Sequence, residues 1–396
     1  MTVATELPAL TPDEAAHSER LAACIAEAIA RAGGWISFAE FMRMALYEPG
    51  LGYYSAGARK FGAAGDFVTA PEVAPVFSRC LAAQCADVLR ELGPGATVLE
   101  LGAGSGVMAC DLLLELERRE ALPACYAILD VSADLRERQR ETLAAAAPHL
   151  LDRVRWLDRL PKEPFDGLVV ANEVLDALVV ERFVMRGERV MALGVALDAA
   201  SGRLRLDERP AEPGLEGAVR RVESELGRAL PDDYASEINL QLSDWLQSIA
   251  AGVRRGVLLF VDYGLPRREY YVAERSRGTL LCHFRHRFHD DALARVGLQD
   301  ITAWVDFTAV AEAAQAAGLD VAGFTTQAHF LIGCGLEEFV AHVGDLDLVE
   351  RVNLSRQAMV LTLPGEMGER FKVIALAKGY DAPLRGFGVR DLRHTL

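Results

Sequence analysis

Apolar and polar positions along the chain follow two different periods. Leu21, Ile25, Ala28 and Ile29 recur at helical spacing. Ahead of them, Thr11-Pro12-Asp13-Glu14 offers a capping residue, a first-turn proline and the glutamate of a capping box. Gly33-Gly34 closes that helix, and a second short one is predicted over Ser37–Leu46. A Gly- and aromatic-rich loop, Tyr47 to Gly65, leads to Asp66-Phe67-Val68-Thr69-Ala70-Pro71-Glu72, and helical spacing returns over Pro75–Leu92. From Ala96 short apolar runs alternate with helices. Strands are predicted at Thr97–Leu101, Tyr126–Asp130, Val154–Leu157, Leu168–Ala171 and Val257–Asp262, with helices at Val107–Glu117 and Ser132–Ala146. Continuous apolar strands between helices imply a parallel sheet covered on both faces.

Glu181–Leu197 breaks the rhythm by alternating about Gly187, which predicts a hairpin with a third strand near Arg203–Leu206. Helices are predicted at Glu216–Ala229, Glu237–Ala251 and Phe307–Ala317. A strand at Val321–Thr326, two helices between Leu336 and Met359, and a last strand at Val373–Ala377 complete the pattern. No internal repeat or low-complexity tract interrupts it.

Composition narrows the class. The chain has 396 residues, 51% of them hydrophobic, enough for a sizeable core. No apolar run approaches a membrane span. The N-terminal segment lacks both a signal-peptide and a transit-peptide pattern, which predicts a cytoplasmic protein. Seven scattered cysteines without a C-x-x-C pair read as reduced, mostly buried thiols rather than zinc ligands or a disulfide framework. A formal charge of −15 disfavours nucleic acid and suits a cationic partner.

The strongest chemical signal is Glu100-Leu101-Gly102-Ala103-Gly104-Ser105-Gly106, where a strand turns sharply into a helix while its backbone passes close to a ligand. Val107 stands where a dinucleotide fingerprint wants glycine or alanine. Glu100 at the strand's carboxyl end predicts a carboxylate that holds an ammonium, directly or through water, and would repel a pyrophosphate. A surface ion pair is the plainer alternative. Asp130 ends the next strand, where an acid can accept two ribose hydroxyls. Ser132 is the more natural helix cap there, which leaves Asp130 free for that task. Asn172, Glu173 and Asp176 crowd the carboxyl end of a third strand, where open α/β sheets keep their active sites, and capping by Asn172 explains only one of the three. Asp262-Tyr263-Gly264 reads as a turn or a pocket wall. His283, His286 and His289 at three-residue spacing suggest one helical face, but interleaved Arg285 and Arg287 oppose a metal ion, leaving a basic substrate-facing patch or plain surface.

At these residues the chain resembles the MidA-like family of methyltransferases. The resemblance covers most of the chain. It rests on Tyr47-Glu48-Pro49-Gly50-Leu51-Gly52-Tyr53-Tyr54, on Gly65 to Glu72, on Glu100 to Gly106 and on Asn172-Glu173-Val174-Leu175-Asp176-Ala177. Asp262-Tyr263-Gly264, Asp300-Ile301-Thr302-Ala303 and Val305-Asp306-Phe307 complete it. The family usually carries Glu where this chain has Asp130. The resemblance implies S-adenosyl-L-methionine as cofactor and S-adenosyl-L-homocysteine as product, with Thr69 and Pro71 joining Gly102, Gly104 and Gly106 around it. Glu100, Asp130, Ser132 and Asn172 complete the expected cofactor set.

It also implies an α/β fold: a Rossmann-like, seven-stranded class I methyltransferase sheet with its last strand antiparallel. An N-terminal helical lobe is expected over residues 1–92, the core over 93–180 and 253–396, and an inserted α+β substrate lobe over 181–252. A mitochondrial member of the family assembles respiratory complex I by dimethylating an arginine of a subunit. A protein substrate with an accessible arginine is therefore expected here, with Glu173, Asp176 and Asn172 as catalytic candidates. No nucleic acid, membrane span or metal is expected, and a homodimer stays open. Three rival readings remain: a non-catalytic cofactor-binding scaffold, a nicotinamide oxidoreductase, and a methyltransferase acting on a small molecule.

Overall fold

In the computed structural model the apolar runs become the strands of one sheet. The structure describes residues 7–56, 69–341 and 348–396. The Gly65-Asp66-Phe67-Val68 half of one motif lies outside them, as does part of the region expected to hold two helices after Leu336. The chain divides into two units. One takes its described residues from Met1–Phe67, Asp176–Leu242 and Arg267–Trp304, the other from Val68–Leu175, Ser243–Pro266 and Val305–Leu396.

The second unit is built on β1 (Thr97–Leu101), β2 (Cys125–Leu129), β3 (Val154–Leu157), β4 (Phe165–Asn172), β5 (Val253–Leu265), β6 (Asp320–Thr326) and β7 (Phe371–Lys378). Their order across the sheet is β6-β7-β5-β4-β1-β2-β3, with the short Val305–Asp306 strand beside the end of β5. β1 to β5 run parallel, whereas β7 is antiparallel to both β5 and β6. This is the class I methyltransferase order, and its topological switch lies between β1 and β4, where such sheets bind ligands.

Both sheet faces are covered, which explains the unbroken apolar runs. Val98, Ile128, Val170, Leu259 and Val261 pack in one cluster with Phe77 and Leu81 of α1 (Pro75–Leu92) and Leu112, Leu113 and Leu116 of α2 (Val107–Arg118). On the opposite face Trp245 of α4 (Leu242–Ala251) lies 5.8 Å from Phe260, and Phe307 of α5 (Phe307–Ala316) lies 5.2 Å from Phe324. Helix α3 (Ala133–Ala146) follows β2 and packs beside α2. Helix α1, expected in the N-terminal lobe, is thus part of the sheet's own core.

The first unit carries the predicted capping box: Thr11 Oγ1 accepts from Glu14 N–H at 3.3 Å while Glu14 accepts from Thr11 N–H at 2.8 Å. The hairpin forms as Glu181–Arg186 and Arg189–Leu197, with Gly187 at φ 57°, and its third strand is the longer Leu204–Pro210. The helix predicted from Glu237 begins only at Leu242. Ala235–Ile238 is instead a strand paired with Glu181–Val184, because Glu237 is buried and its carboxylate accepts Thr279 N–H at 2.9 Å.

The histidines are not on a helix either. Leu281–Phe284 and Arg287–His289 pair as a hairpin, with Arg285 and His286 at its turn in left-handed conformations. A spacing of three fits helix and hairpin alike, and the backbone pairing decided it. Leu281–Phe284 also pairs with Asp300–Thr302. Among the described residues, no helix is long and apolar enough to cross a membrane.

Candidate functional site

The glycine loop between β1 and α2 is built by conformation and close approach. Gly102, Gly104 and Gly106 have φ of 63°, 53° and 84°, in the left-handed region that favours glycine. A Cβ on Gly106 would stand 2.9 Å from Gln139 Cα, and one on Gly102 would stand 3.1 Å from Val174 Cγ2. The loop is therefore pressed between α3 and the segment that follows β4. Ser105 Oγ donates to Glu72, and Thr142 Oγ1 donates to the Ser105 carbonyl at 2.8 Å. Glu72 belongs to the short Ala70–Val73 helix, which has Thr69 at its N-cap and Pro71 buried in its first turn. The Thr-Ala-Pro-Glu motif thus reaches the glycine loop through Glu72.

Glu100 departs from expectation. It is 0% exposed, accepts from Tyr126 Oη at 2.6 Å through one oxygen, and has its other oxygen buried with no hydrogen-bond partner. Burial, opposed by the Tyr126 bond and reinforced by nearby Asp130, pushes its carboxyl up to about 8. Burial thus favours the protonated form, which a cationic group brought beside the unpartnered oxygen would reverse.

Asp130 follows β2 and is buried, with Ser132 N–H at 2.9 Å on one oxygen and Gln139 Nε2 at 2.9 Å on the other. Ser132 does cap α3, accepting Leu135 N–H at 3.4 Å, but its backbone N–H turns back to Asp130, which is not left free. Gln139 also donates to the Gly104 carbonyl at 3.1 Å and accepts from Trp156 Nε1 at 3.1 Å. One side chain thereby links the acid after β2 to the glycine loop. Sequence reasoning missed it, although Leu135, Gln139 and Leu143 share a buried stripe at spacing four, where a glutamine is out of place. Val131, next to Asp130, is 69% exposed, a bare apolar surface beside an acid.

β4 ends at Asn172, whose Nδ2 donates to Glu173 Oε1 at 3.0 Å and whose Oδ1 is buried without a partner. Glu173 has φ 54°, a left-handed conformation unusual for a non-glycine residue. Its N–H continues the ladder to the Val261 carbonyl at 2.9 Å, and the next two N–H groups, of Val174 and Leu175, donate to Asp262. The structure thus brings Asn172 and Glu173 together with the glycine loop in one unit. Asp176 opens the next segment of the other unit, three residues along the chain.

That first unit gathers two motifs to which the sequence assigned no chemistry. Tyr47 and Tyr54 stack at 5.5 Å, and Tyr54 Oη bonds both Asp300 oxygens at 3.0 and 2.9 Å. Tyr47 Oη donates to the Ala177 carbonyl at 2.8 Å, and Ala303 N–H to the Asp176 carbonyl at 3.1 Å. Burial and the Asp300 carboxylate raise the Tyr54 phenol well above its ordinary range.

Left-handed glycines at a strand-to-helix turn, an acid after the next strand with an apolar neighbour, and an asparagine with an orphaned buried oxygen after β4 suit a ligand with an aminoacyl end, a ribose and an adenine. S-adenosyl-L-methionine has these parts. Comparison with known proteins agrees. The sequence pattern of a family of S-adenosyl-L-methionine-dependent methyltransferases matches residues 80–325. A solved structure from Burkholderia thailandensis, a COG1565 superfamily member bound to S-adenosyl-homocysteine, is 43% identical, with TM-score 0.93, covering 99% of this chain and 100% of that one.

The Drosophila melanogaster protein arginine methyltransferase NDUFAF7 homolog, mitochondrial, is 28% identical over 87% of this chain and 82% of its own length. Its Homo sapiens counterpart is 28% identical over 87% and 80%. The cytoplasmic location read from the N-terminal segment is corrected by these relatives, which are named as mitochondrial proteins.

Proposed function

This chain belongs to the S-adenosyl-L-methionine-dependent methyltransferases, and from that premise we propose that it methylates an arginine of a protein substrate. The observation that carries this reading is the likeness, over 87% of the chain, to proteins named as protein arginine methyltransferases. The loop after β4 supports it, because there a glutamate is held in a costly conformation beside Asn172.

We assign cofactor binding to the backbone of Gly102, Gly104 and Gly106, to Asp130, Ser132 and Asn172, and to Thr69 and Pro71. Glu100 supports the floor of the loop through Tyr126. When bound, the cofactor supplies a methyl carbon activated by its sulfonium; the chain's residues supply alignment and charge. An arginine guanidinium stays charged, with a pKa above about 12. Its fork needs a carboxylate to orient one nitrogen toward the methyl carbon and to accept the proton released on methylation. Glu173 takes that role in this reading. Asn172 Nδ2, bonded to Glu173 Oε1, fixes the carboxylate's rotation, and Asp176 is assigned as the second acid. The net charge of −15 favours encounter with a cationic segment. A respiratory complex I subunit is the first acceptor to test.

The test is incubation with methyl-labelled S-adenosyl-L-methionine and a lysate from cells lacking the protein, resolved on a gel. A labelled band carrying methylarginine, absent with Glu173→Gln, is expected. A band of full intensity with that variant refutes the carboxylate role. No band despite cofactor binding refutes a protein acceptor.

A further inference from the structure

Asp262 stands outside the roles assigned so far, yet its carboxylate is more heavily used than a turn requires. It ends the buried part of β5, is 0% exposed, and accepts three backbone N–H groups. One oxygen takes Val174 N–H at 3.2 Å and Leu175 N–H at 2.8 Å, and the other takes its own neighbour Tyr263 at 2.9 Å. Both amides that follow Glu173 therefore end on a single carboxylate oxygen of the adjacent strand. We infer that Asp262 is a positioning residue for methyl transfer, holding Glu173 in its left-handed turn and so aiming the Glu173 carboxylate beside Asn172.

The physical case rests on what the loop would otherwise do. At Glu173 the chain leaves the ladder after one last bond, to the Val261 carbonyl at 2.9 Å. A left-handed glutamate is unfavourable on its own and persists only where its surroundings over-determine it. Two surroundings do so. On one side Val174 Cγ2 lies against Gly102, leaving 3.1 Å for a Cβ there. On the other side Asp262 takes the two amides that the turn aims at it. Asp262 itself is buried, and an ionised carboxylate makes stronger bonds to N–H groups than a neutral acceptor does. Lys372, buried, is the register partner of Asp262 on β7, so a positive side chain is built into the adjoining position of the same sheet face.

The inference rests on the reading of Glu173 as the acting carboxylate, and it names a residue through which Glu173 is held. Asp262→Asn is the probing change. It keeps shape and volume but offers one acceptor oxygen where the site uses two, so either Tyr263 or the Val174 and Leu175 pair must face an NH2 group. A misplacement on the order of 1 Å can cost about a hundredfold in rate.

Three quantities are measured on Asp262→Asn and wild type: hydrogen exchange of the Val174 and Leu175 amides, the Kd of S-adenosyl-L-homocysteine, and the initial rate of labelled methyl transfer into a lysate lacking the protein. Faster amide exchange by at least about tenfold, a transfer rate reduced by about ten- to a hundredfold, and a Kd within about threefold of wild type support positioning. An unchanged transfer rate despite faster exchange overturns it. A Kd that weakens as much as the rate falls also overturns it, since Asp262 would then serve the fold or the cofactor in general. Should the variant fail to fold, exchange in the wild type decides: Val174 and Leu175 amides exchanging as fast as open loops overturn the inference. No transfer by wild type, or full transfer by Glu173→Gln, refutes the function proposed for Glu173, while the exchange rates still report on the Asp262 bonds alone.

Discussion

Glu100 makes the stability of this protein depend on pH in a direction opposite to that of most acids. Paired carboxylates usually stabilise a fold as they ionise. Glu100 is fully buried, bonded to Tyr126 Oη at 2.6 Å, and its carboxyl is raised from 4.5 to about 8, chiefly by desolvation. The unfolded chain therefore ionises this group first. Its stabilising contribution is complete below about 4.5 and is lost as pH rises through about 8. Each pH unit is worth about 1.4 kcal/mol, so crossing the interval removes on the order of 5 kcal/mol.

Glu100→Gln keeps the shape and an acceptor for Tyr126 but cannot titrate. Burying its amide adds a constant offset, so the slope is the quantity to read. Urea unfolding of both proteins, stepped from pH 5 to pH 9, yields the difference in free energy at each pH. Other buried acids, such as Asp111, raised to about 6 by burial, contribute to both curves and cancel. The variant is expected to gain on wild type by about 1.4 kcal/mol per unit up to pH 8 and to level off beyond it. Parallel curves across that range would refute the account of Glu100 as a buried neutral acid.

Three further outcomes follow from the same geometry. At Glu173, with φ 54°, Gly should be more stable than Ala by about 1 kcal/mol in urea titration, the reverse of their usual order, while both abolish methyl transfer. Gly106→Ala meets Gln139 Cα at 2.9 Å with φ 84°; it should cost about 2–3 kcal/mol and weaken S-adenosyl-L-homocysteine binding measured by calorimetry. Gln139→Leu removes the bridge between Asp130 and the Gly104 carbonyl; a roughly ten- to a hundredfold rise in the Kd of the same ligand is expected, together with a loss of about 1–3 kcal/mol of stability from the buried groups left unpaired.

What was legible in the sequence is what local chemistry dictates. Three glycines at a strand-to-helix turn, the Thr11 capping box and the apolar runs of β4 and β5 each announce a backbone requirement that few residues meet. The seven-stranded sheet with an antiparallel last strand came from the family resemblance, not from periodicity. Long-range pairing was illegible. Nothing near Glu100 reveals that Tyr126, on the next strand, closes over it, and nothing near Asp130 reveals Gln139. Asp262 reads as a turn residue because its partners lie 87 and 88 positions away. The histidine segment failed for a different reason: its spacing satisfies two periods, and pairing with Asp300–Thr302 chose the strand.

The left-handed turn at Glu173 also bears on how this chain changes over generations. A glutamate codon lies one base change from glycine and from aspartate, two residues that the turn accepts more readily. Mutation therefore leads downhill in folding energy at this position, and a substitution there would leave the protein intact. The carboxylate role proposed for Glu173 is what would oppose that drift. A gene copy released from that role should lose Glu173 early while keeping its core, so the residue serves as a marker that separates working copies from merely folded ones.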